Sequence, residues 1–403
     1  MATLTRKRGA APAAAVPVLP KEPSAVQFFA TCPRGLAGAL AEELAALGAT
    51  EIKAGEAGVE FEGPFELAYA ANLESRLATR ILARVAKFDY RNENDIYEGA
   101  RRIRWHAHFG VDRTFKVETN AVKAPVKSID FITLKVKDAV ADAFREALGR
   151  RPDVSPREPD VRVHVFLDAK WCTLYLDTSG EPLFKRGRRD KTGEAPLKKN
   201  LAAGLLRLSG WTPGQPLLDP MCGAGTILIE AAEIALGLAP GRGRPFGFER
   251  LTRFDAAAWE TVKAASAVRA QPVGPRPIYG SDLYGRTVDG ARANLRDMGL
   301  EEVVTLKQAN TLELSAPAPA GFLVTNPPYG VRLGEKEDLA KFYPELGHLL
   351  KQKFAGWTAY IFSGDTDLPK LIRLSATKRT VLYNGAIECR LYEYRMVAGG
   401  NRP

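Results

Sequence analysis

The stretch richest in chemistry is Asn326-Pro327-Pro328-Tyr329-Gly330, which follows directly on the apolar run Gly321-Phe322-Leu323-Val324-Thr325. Two successive prolines fix φ and remove two backbone donors, so their carbonyls and the Asn326 side-chain oxygen are available as acceptors. Tyr329 adds a flat ring beside them. Acceptors for N–H hydrogens, an aromatic face for a ring and a nitrogen lone pair left free together suit an exocyclic amine on a planar base. The same five residues would also make a proline-rich turn around a packed tyrosine, so the rest of the chain has to decide.

A second stretch bears on that choice. Pro216-Leu217-Leu218-Asp219-Pro220-Met221-Cys222-Gly223-Ala224-Gly225-Thr226 leads from an apolar strand through glycines into a helical run at residues 227–236. Gly223 and Gly225 permit close backbone approach at a helix N-terminus, where free N–H groups favour a negative or polar ligand group. Asp219, at the carboxyl end of the strand, can accept hydrogen bonds from that ligand. The Walker pattern is absent, and Ile227-Leu228 stand where a dinucleotide fingerprint places its third glycine, which disfavours a nicotinamide cofactor. An acid before the glycines, a strand ahead and a helix behind point to a nucleoside ligand rather than a tight structural turn.

These two stretches need a common scaffold. Pro277-Ile278-Tyr279-Gly280-Ser281-Asp282 is a second strand ending in an acid, with a helix at residues 287–298, and Val303-Val304-Thr305-Leu306-Lys307 is a third strand. Strand four delivers Asn326. The order β-α-β-α-β, then β, predicts a doubly wound α/β sheet, in which ligands gather beyond the carboxyl ends of the strands. Asp219, Asp282, Asn310 and Asn326 would then share one rim, with Asp282 facing ribose hydroxyls and Asn310 edging an adenine. Residues 339–354, 357–362 and 380–394 supply a further helix and strands.

Composition narrows the setting. The chain has 403 residues and a net charge of +10, enough length for two or three domains and a charge that favours a polyanionic partner. Cys32, Cys172, Cys222 and Cys389 are scattered, without C-x-x-C pairs, so neither zinc nor a disulfide framework is expected; no metal is expected at all, and a reducing cytoplasm fits. No window is apolar enough for a membrane span. Residues 1–24, with Arg6-Lys7-Arg8 and an Ala/Pro-rich run, read as a disordered tail rather than a signal peptide.

The front half divides in two. Residues 25–89 read as strand, helix, strand, helix, strand, a small α+β module whose first helix carries the stripe Leu36, Leu40, Leu44 and Leu47. Residues 90–188 are more basic. Arg101 and Arg102, with Arg104 beside Trp105, and Lys116, Lys123 and Lys127 around the strand Thr114-Phe115-Lys116-Val117-Glu118, are candidates to grip phosphates. A helix with the stripe Val136, Val140, Phe144 and Ala147 and two alternating strands at 161–167 and 172–177 complete this part. The basic run Lys185-Arg186-Gly187-Arg188-Arg189 reads as a linker turned toward a polyanion, and residues 189–403 form the last domain.

Taken together, Asp-Pro-Met-Cys-Gly-Ala-Gly-Thr and the later Thr-Asn-Pro-Pro-Tyr-Gly resemble class I S-adenosylmethionine-dependent methyltransferases that modify base amines. Thr114-Phe115-Lys116-Val117, Lys135-Val136-Lys137-Asp138-Ala139 and Pro159-Asp160-Val161-Arg162-Val163 resemble a THUMP domain, an RNA-binding module preceded by a ferredoxin-like domain. With Ala195-Pro196-Leu197 and Phe362-Ser363 in place, residues 25–396 are similar to bacterial 23S ribosomal RNA guanine-N2 methyltransferases of the RlmL type. The fold this implies is α/β: a ferredoxin-like α+β module and a THUMP domain, then a Rossmann-like methyltransferase domain. The larger fused protein of some bacteria adds a second methyltransferase domain, which is not expected here.

The resemblance implies S-adenosyl-L-methionine as cofactor, held by Ala195, Pro196, Leu197, Asp219, Pro220, Met221, Cys222, Gly223, Gly225, Thr226, Asp282, Leu283, Asn310, Thr311 and Asn326. Asn326, Pro327, Pro328 and Tyr329 would hold guanine, and 23S ribosomal RNA or its precursor particle would be the partner of a cytoplasmic enzyme, for which a monomer is favoured while the sequence leaves the oligomeric state open. Asn310 stands where aspartate is usual, Lys199 where glutamate is common and Arg188 where tyrosine is frequent. A Lys199 ammonium near a sulfonium would be unfavourable unless it turned outward. The mechanism expected is direct in-line methyl transfer to N2 without a covalent intermediate. Cys222, in the cofactor loop, and Cys389, in a late strand, are poorly placed as nucleophiles for pyrimidine-carbon chemistry. The alternatives are an amine methyltransferase acting on transfer RNA or on adenine, and a non-catalytic RNA-binding assembly factor, with cofactor titration to separate them.

Overall fold

The computed structural model describes residues 25–186, 197–328 and 335–397; the expected tail, residues 1–24, lies outside them. Among the described residues the strands form two seven-stranded sheets, one from each half of the chain.

The first sheet starts with β1 (Val26–Thr31), α1 (Ala37–Ala46), β2 (Thr50–Gly55), β3 (Gly58–Gly63), α2 (Leu67–Glu74) and β4 (Arg80–Asp89). This is the ferredoxin-like βαββαβ arrangement, with all pairs antiparallel. It has one more strand than the sequence pattern predicts, because β2 is an edge strand whose residues face solvent along nearly all its length. The THUMP part follows with α3 (Glu93–Arg101), β5 (Phe115–Ala121), α4 (Ile129–Leu148), β6 (Val161–Leu167) and β7 (Trp171–Asp177). β6 and β7 form the expected hairpin, and β5 runs parallel to β6. The boundary expected at residue 89 coincides with the end of β4, yet the sheet does not break there. β4 pairs with β1 on one side and β7 on the other, giving the order β2-β3-β1-β4-β7-β6-β5.

The second half supplies α5 (Lys199–Ser209), β8 (Leu217–Asp219), α6 (Thr226–Ala235), α7 (Ala256–Ala267), β9 (Ile278–Asp282), α8 (Gly285–Asp297), β10 (Thr305–Gln308), β11 (Gly321–Thr325), α9 (Glu335–Lys353), β12 (Trp357–Ser363), β13 (Lys378–Asn384) and β14 (Ile387–Arg395). The order β10-β9-β8-β11-β12-β14-β13 is doubly wound, parallel from β10 to β12 and antiparallel at β14. Its order turns at β8 and β11, so the crevice lies beyond Asp219 and Thr325.

Between α6 and β9 lies a segment for which the sequence pattern predicts no element. It carries α7 and an aromatic cluster that reaches back to the first module. The Tyr69 ring on α2 lies 4.5 Å from Phe248, and Phe248 lies 5.1 Å from Trp259, edge-on. The Tyr69 hydroxyl accepts from the Asp255 amide at 2.9 Å. Arg76, just after α2, donates to Glu230 and Glu233 on α6 and to the Leu238 carbonyl. One continuous apolar core therefore runs from β1 and α2 through α5 and α6, and a second surrounds α9 between β12 and β14. Burying aromatic surface on this scale fixes the two halves against each other.

Candidate active site

β8 is central in its sheet, and all three of its residues are buried. Its last side chain, Asp219, is 2% exposed, and its Oδ1 accepts from the Met221 amide at 3.2 Å and the Thr325 hydroxyl at 2.8 Å. Burial pushes the Asp219 carboxyl up to about 7 and the neighbouring Asp282 charge adds to this, while the hydroxyl and the amide pull it down. The following corner is held from adjacent strand ends. The Thr311 hydroxyl donates to the Pro220 carbonyl at 2.9 Å and the Ser281 hydroxyl to the same oxygen at 3.4 Å. The Cys222 amide donates to the Ser281 carbonyl at 2.9 Å.

The glycines of the loop separate into two roles. Gly223 has φ +53° and a Cβ there would meet no atom within 4 Å, so its backbone borders open space. Gly225 has φ +79°, but a Cβ there would stand 3.3 Å from that of Ala291 on α8, so its second constraint is helix packing. Gly225 is also the N-cap of α6 and offers no side chain to the first amides of the helix. Thr226 is buried at that helix start. Met221 is half-buried, and the Cys222 thiol is pushed upward by burial, with Asp219 and Asp282 adding to the rise. It is a thiol, not a thiolate nucleophile.

Asp282 closes the loop from β9. Its Oδ2 accepts from the Gly223 amide at 3.1 Å and its Oδ1 from the Tyr284 amide at 3.2 Å, leaving one lone pair on each oxygen for a diol. Leu283 is exposed on the rim. Asn310 is engaged locally: Oδ1 accepts from the Leu312 amide at 3.1 Å and Nδ2 donates to Glu313 at 3.2 Å. These bonds leave that amide one N–H and one lone pair for an adenine edge. Thr311 supports the loop from behind, its hydroxyl already directed at Pro220. Leu197 is buried in the core, whereas Ala195 and Pro196 lie outside the described residues.

Asn326 follows β11. Its Oδ1 is buried and has no hydrogen-bond partner among the described residues. Pro327 is buried and Pro328 exposed; Tyr329 lies outside the described residues. A buried acceptor without a donor is costly unless a ligand supplies one. With two carboxylates, an open glycine backbone and an uncapped helix start on the same rim, the residues fit a cationic nucleoside cofactor beside a base amine.

The basic candidates divide. Arg102, Lys123 and Lys127 are exposed, with Lys123 in a left-handed turn at φ +54°. Arg101 pairs with Glu146 at 3.2 Å, Lys116 with Glu118 at 3.0 Å and Lys185 with Glu181 at 3.0 Å. Arg188 and Arg189 lie outside the described residues. Arg186 is not an RNA-facing residue. It is 4% exposed and donates through Nε and Nη2 to both oxygens of Glu230, at 3.1 and 2.6 Å. Trp105 is fully buried, its indole N–H donating to the Ala100 carbonyl at 2.8 Å, so it gives no stacking surface to the nearby arginines. Lys199 does not turn outward; it is buried, and its ammonium donates to the Arg186 carbonyl at 2.7 Å. Thr325, Ser281 and Glu230 were not foreseen as parts of the site. The one legible trace was a hydroxyl closing the otherwise apolar Gly321–Thr325 strand.

Residues 186–393 match a family described as RMKL-like, methyltransferase domain; residues 90–177 match the THUMP domain and residues 27–82 the RlmL ferredoxin-like domain. The chain is 41% identical over 383 residues to the ribosomal RNA large subunit methyltransferase K/L of Shewanella loihica, covering 94% of this chain and 54% of that protein. It thus spans about half the length of the curated relatives it matches. Among solved structures, SMU.472, described as a methyltransferase and complexed with SAH, superposes with a TM-score of 0.85 at 31% identity, covering 93% of this chain and 99% of that one. A Listeria monocytogenes protein described as a predicted N6-adenine-specific DNA methylase gives 0.84 at 30% identity, covering 92% and 96%.

Proposed function

The chain belongs to the RMKL-like methyltransferase family, and from that premise we propose that it methylates the exocyclic N2 amine of a guanine in large-subunit ribosomal RNA. The cofactor is S-adenosyl-L-methionine, which supplies an electrophilic methyl group on a sulfonium. The observation that carries the choice of an amine is Asn326 Oδ1, buried after the end of β11 with no hydrogen-bond partner among the described residues.

In this reading Asn326 Oδ1 and the Pro327 carbonyl accept the two amine hydrogens. A guanine amine is conjugated with its ring, and acceptors on both hydrogens localise the lone pair toward the methyl as the bond forms. Orientation does the rest: the rim would hold the sulfonium with its methyl toward the amine nitrogen, S-adenosylhomocysteine would leave as the C–S bond breaks, and the methylated nitrogen would give up one hydrogen to water. Asp219, Gly223 and the start of α6 orient the cofactor, Asp282 fixes its ribose, and Tyr329 stacks on a base drawn out of its helix. The buried Cys222 thiol supports transfer without a covalent intermediate. The THUMP domain holds the RNA, with Arg102, Lys123 and Lys127 on phosphates. No helix among the described residues is long and apolar enough to cross a membrane, and a cytoplasmic setting among ribosomal precursors suits the substrate.

The test is methylation of unmodified 23S ribosomal RNA with isotope-labelled cofactor, followed by nucleoside mass spectrometry. N2-methylguanosine is the expected product. N6-methyladenosine, transfer RNA as the preferred substrate, or cofactor binding with no transfer to any RNA would overturn the reading.

A further inference from the structure

The cofactor acid and the base-binding loop are joined by one hydroxyl. Thr325 is fully buried at the end of β11, its Oγ1 donates to Asp219 Oδ1 at 2.8 Å, and the next residue is Asn326. β8 and β11 are parallel neighbours, paired through Phe322 with Leu217 and Leu323 with Leu218, so both strands end at the same rim, where the Thr325 hydroxyl reaches back to Asp219. The position follows Phe322, Leu323 and Val324, and valine would fill the same volume there. A buried hydroxyl and a buried carboxylate that satisfy each other are a specific pairing, not packing. Thr311 and Ser281 brace the same corner through the Pro220 carbonyl, but of the three hydroxyls Thr325 is the one that reaches the carboxylate.

We propose that Thr325 is a positioning residue that couples the two halves of the site: its hydroxyl holds Asp219 as a charged acceptor for the cofactor and, through the same bond, fixes the strand end from which Asn326 meets the base amine. The second half rests on the methyl-transfer reading; the first needs only cofactor binding. Asp219 is faced by the Asp282 carboxylate from β9, by the Cys222 thiol and Met221 amide of its own loop and by the Thr325 hydroxyl from β11. Asp282 and burial oppose its ionisation, and the hydroxyl and amide favour it.

Thr325→Val and Thr325→Ser variants of the full chain test this, with S-adenosylhomocysteine binding followed by calorimetry between pH 5 and 9 and single-turnover methylation of 23S ribosomal RNA at pH 8.5. In Thr325→Val the acid midpoint of binding moves to higher pH, and the single-turnover rate falls on the order of ten- to a hundred-fold, the range for loss of a hydrogen bond to a charged group. Thr325→Ser keeps both near wild type. A Thr325→Val binding midpoint that coincides with wild type, or a serine variant as impaired as the valine one, overturns the inference. A wild-type chain that binds S-adenosylhomocysteine and methylates no base amine overturns the functional reading instead, while the binding midpoints still decide the role of the Thr325 hydroxyl.

Discussion

Asn326 and Asp219 are both buried oxygens at one rim, and they differ in how they are satisfied. Asn326 Oδ1 has no donor among the described residues, and in the proposed reading its interaction forms with the substrate and strengthens in the transition state. Asn326→Ala should lower the single-turnover rate by about 10²–10³, as removal of one preorganised polar contact does elsewhere, while calorimetric cofactor affinity stays within about two-fold. Equal losses in both would remove its assigned role. Asp219 already accepts two hydrogen bonds from the chain through Oδ1, and burial pushes its carboxyl up to about 7. That value lies above the roughly 3.9 of an unfolded aspartate, so the folded chain holds the proton longer than the unfolded one. The group therefore subtracts stability as pH rises from about 4 to 7, and the loss is complete above that. In unfolding titrations without cofactor, Asp219→Asn should gain on wild type through this window, by at most ~1.4 kcal/mol per pH unit, and run level with a constant gap above about pH 8. Curves parallel from pH 4 to 8 would contradict the buried carboxylate. Both residues were legible because a short motif carries their chemistry. Thr325 was not, since its partner is 106 positions away and nothing local marks the pairing.

At the scale of elements, legibility followed burial. Helices α1, α4, α6 and α8 and strands β6, β7 and β11 have apolar faces set against a core, and that periodicity is visible in the chain. β2 buries almost nothing and is held by its backbone ladder to β3, so its sequence carries no signal. Arg186 shows the converse error: in a run of basic residues it looked like a solvated cation, yet it is the buried partner of Glu230. Glu230 is fully buried on α6, with Arg186 on one side and Arg76 of the first module on the other. α6 is the helix whose start borders the glycine loop after β8, so these charges hold it to the first module and to the segment that follows β7. Glu230→Ala would strand the buried Arg186 guanidinium, while Arg76 keeps Glu233 and the Leu238 carbonyl, and the loss in chemical denaturation should be about 3–5 kcal/mol. Arg186→Ala should likewise destabilise the chain, and at a temperature where it remains folded its RNA affinity should match wild type. A selective loss of RNA binding with full stability would return Arg186 to the RNA-facing set.

For the whole molecule, the order of modules was readable in the sequence, but their fusion was not. One sheet runs through β4 and β7, and Tyr69, Phe248 and Trp259 lock α2 against the segment after α6. Neither junction has a local signature, because each joins residues far apart whose apolar character says only that they are buried. The consequence concerns the substrate. In the proposed reading, the front half fixes how far the loop carrying Lys123 and Lys127 lies from Asn326, so RNA held there would select which base reaches the site and leave the chemistry untouched. The net charge of +10 makes that grip electrostatic, and counterion release makes it steeply dependent on salt. Lys123 and Lys127 are exposed on the loop between β5 and α4, and among the described residues neither joins the ion pairs that engage Lys116 and Arg101. Lys123→Glu with Lys127→Glu should weaken ribosomal RNA binding at every salt concentration and flatten the slope of log affinity against log salt by roughly one unit for each phosphate no longer neutralised. S-adenosylhomocysteine affinity and the rate at saturating RNA should stay close to wild type, since neither lysine lies on the catalytic rim. If the double variant keeps the wild-type slope, the RNA path crosses another face of the THUMP domain.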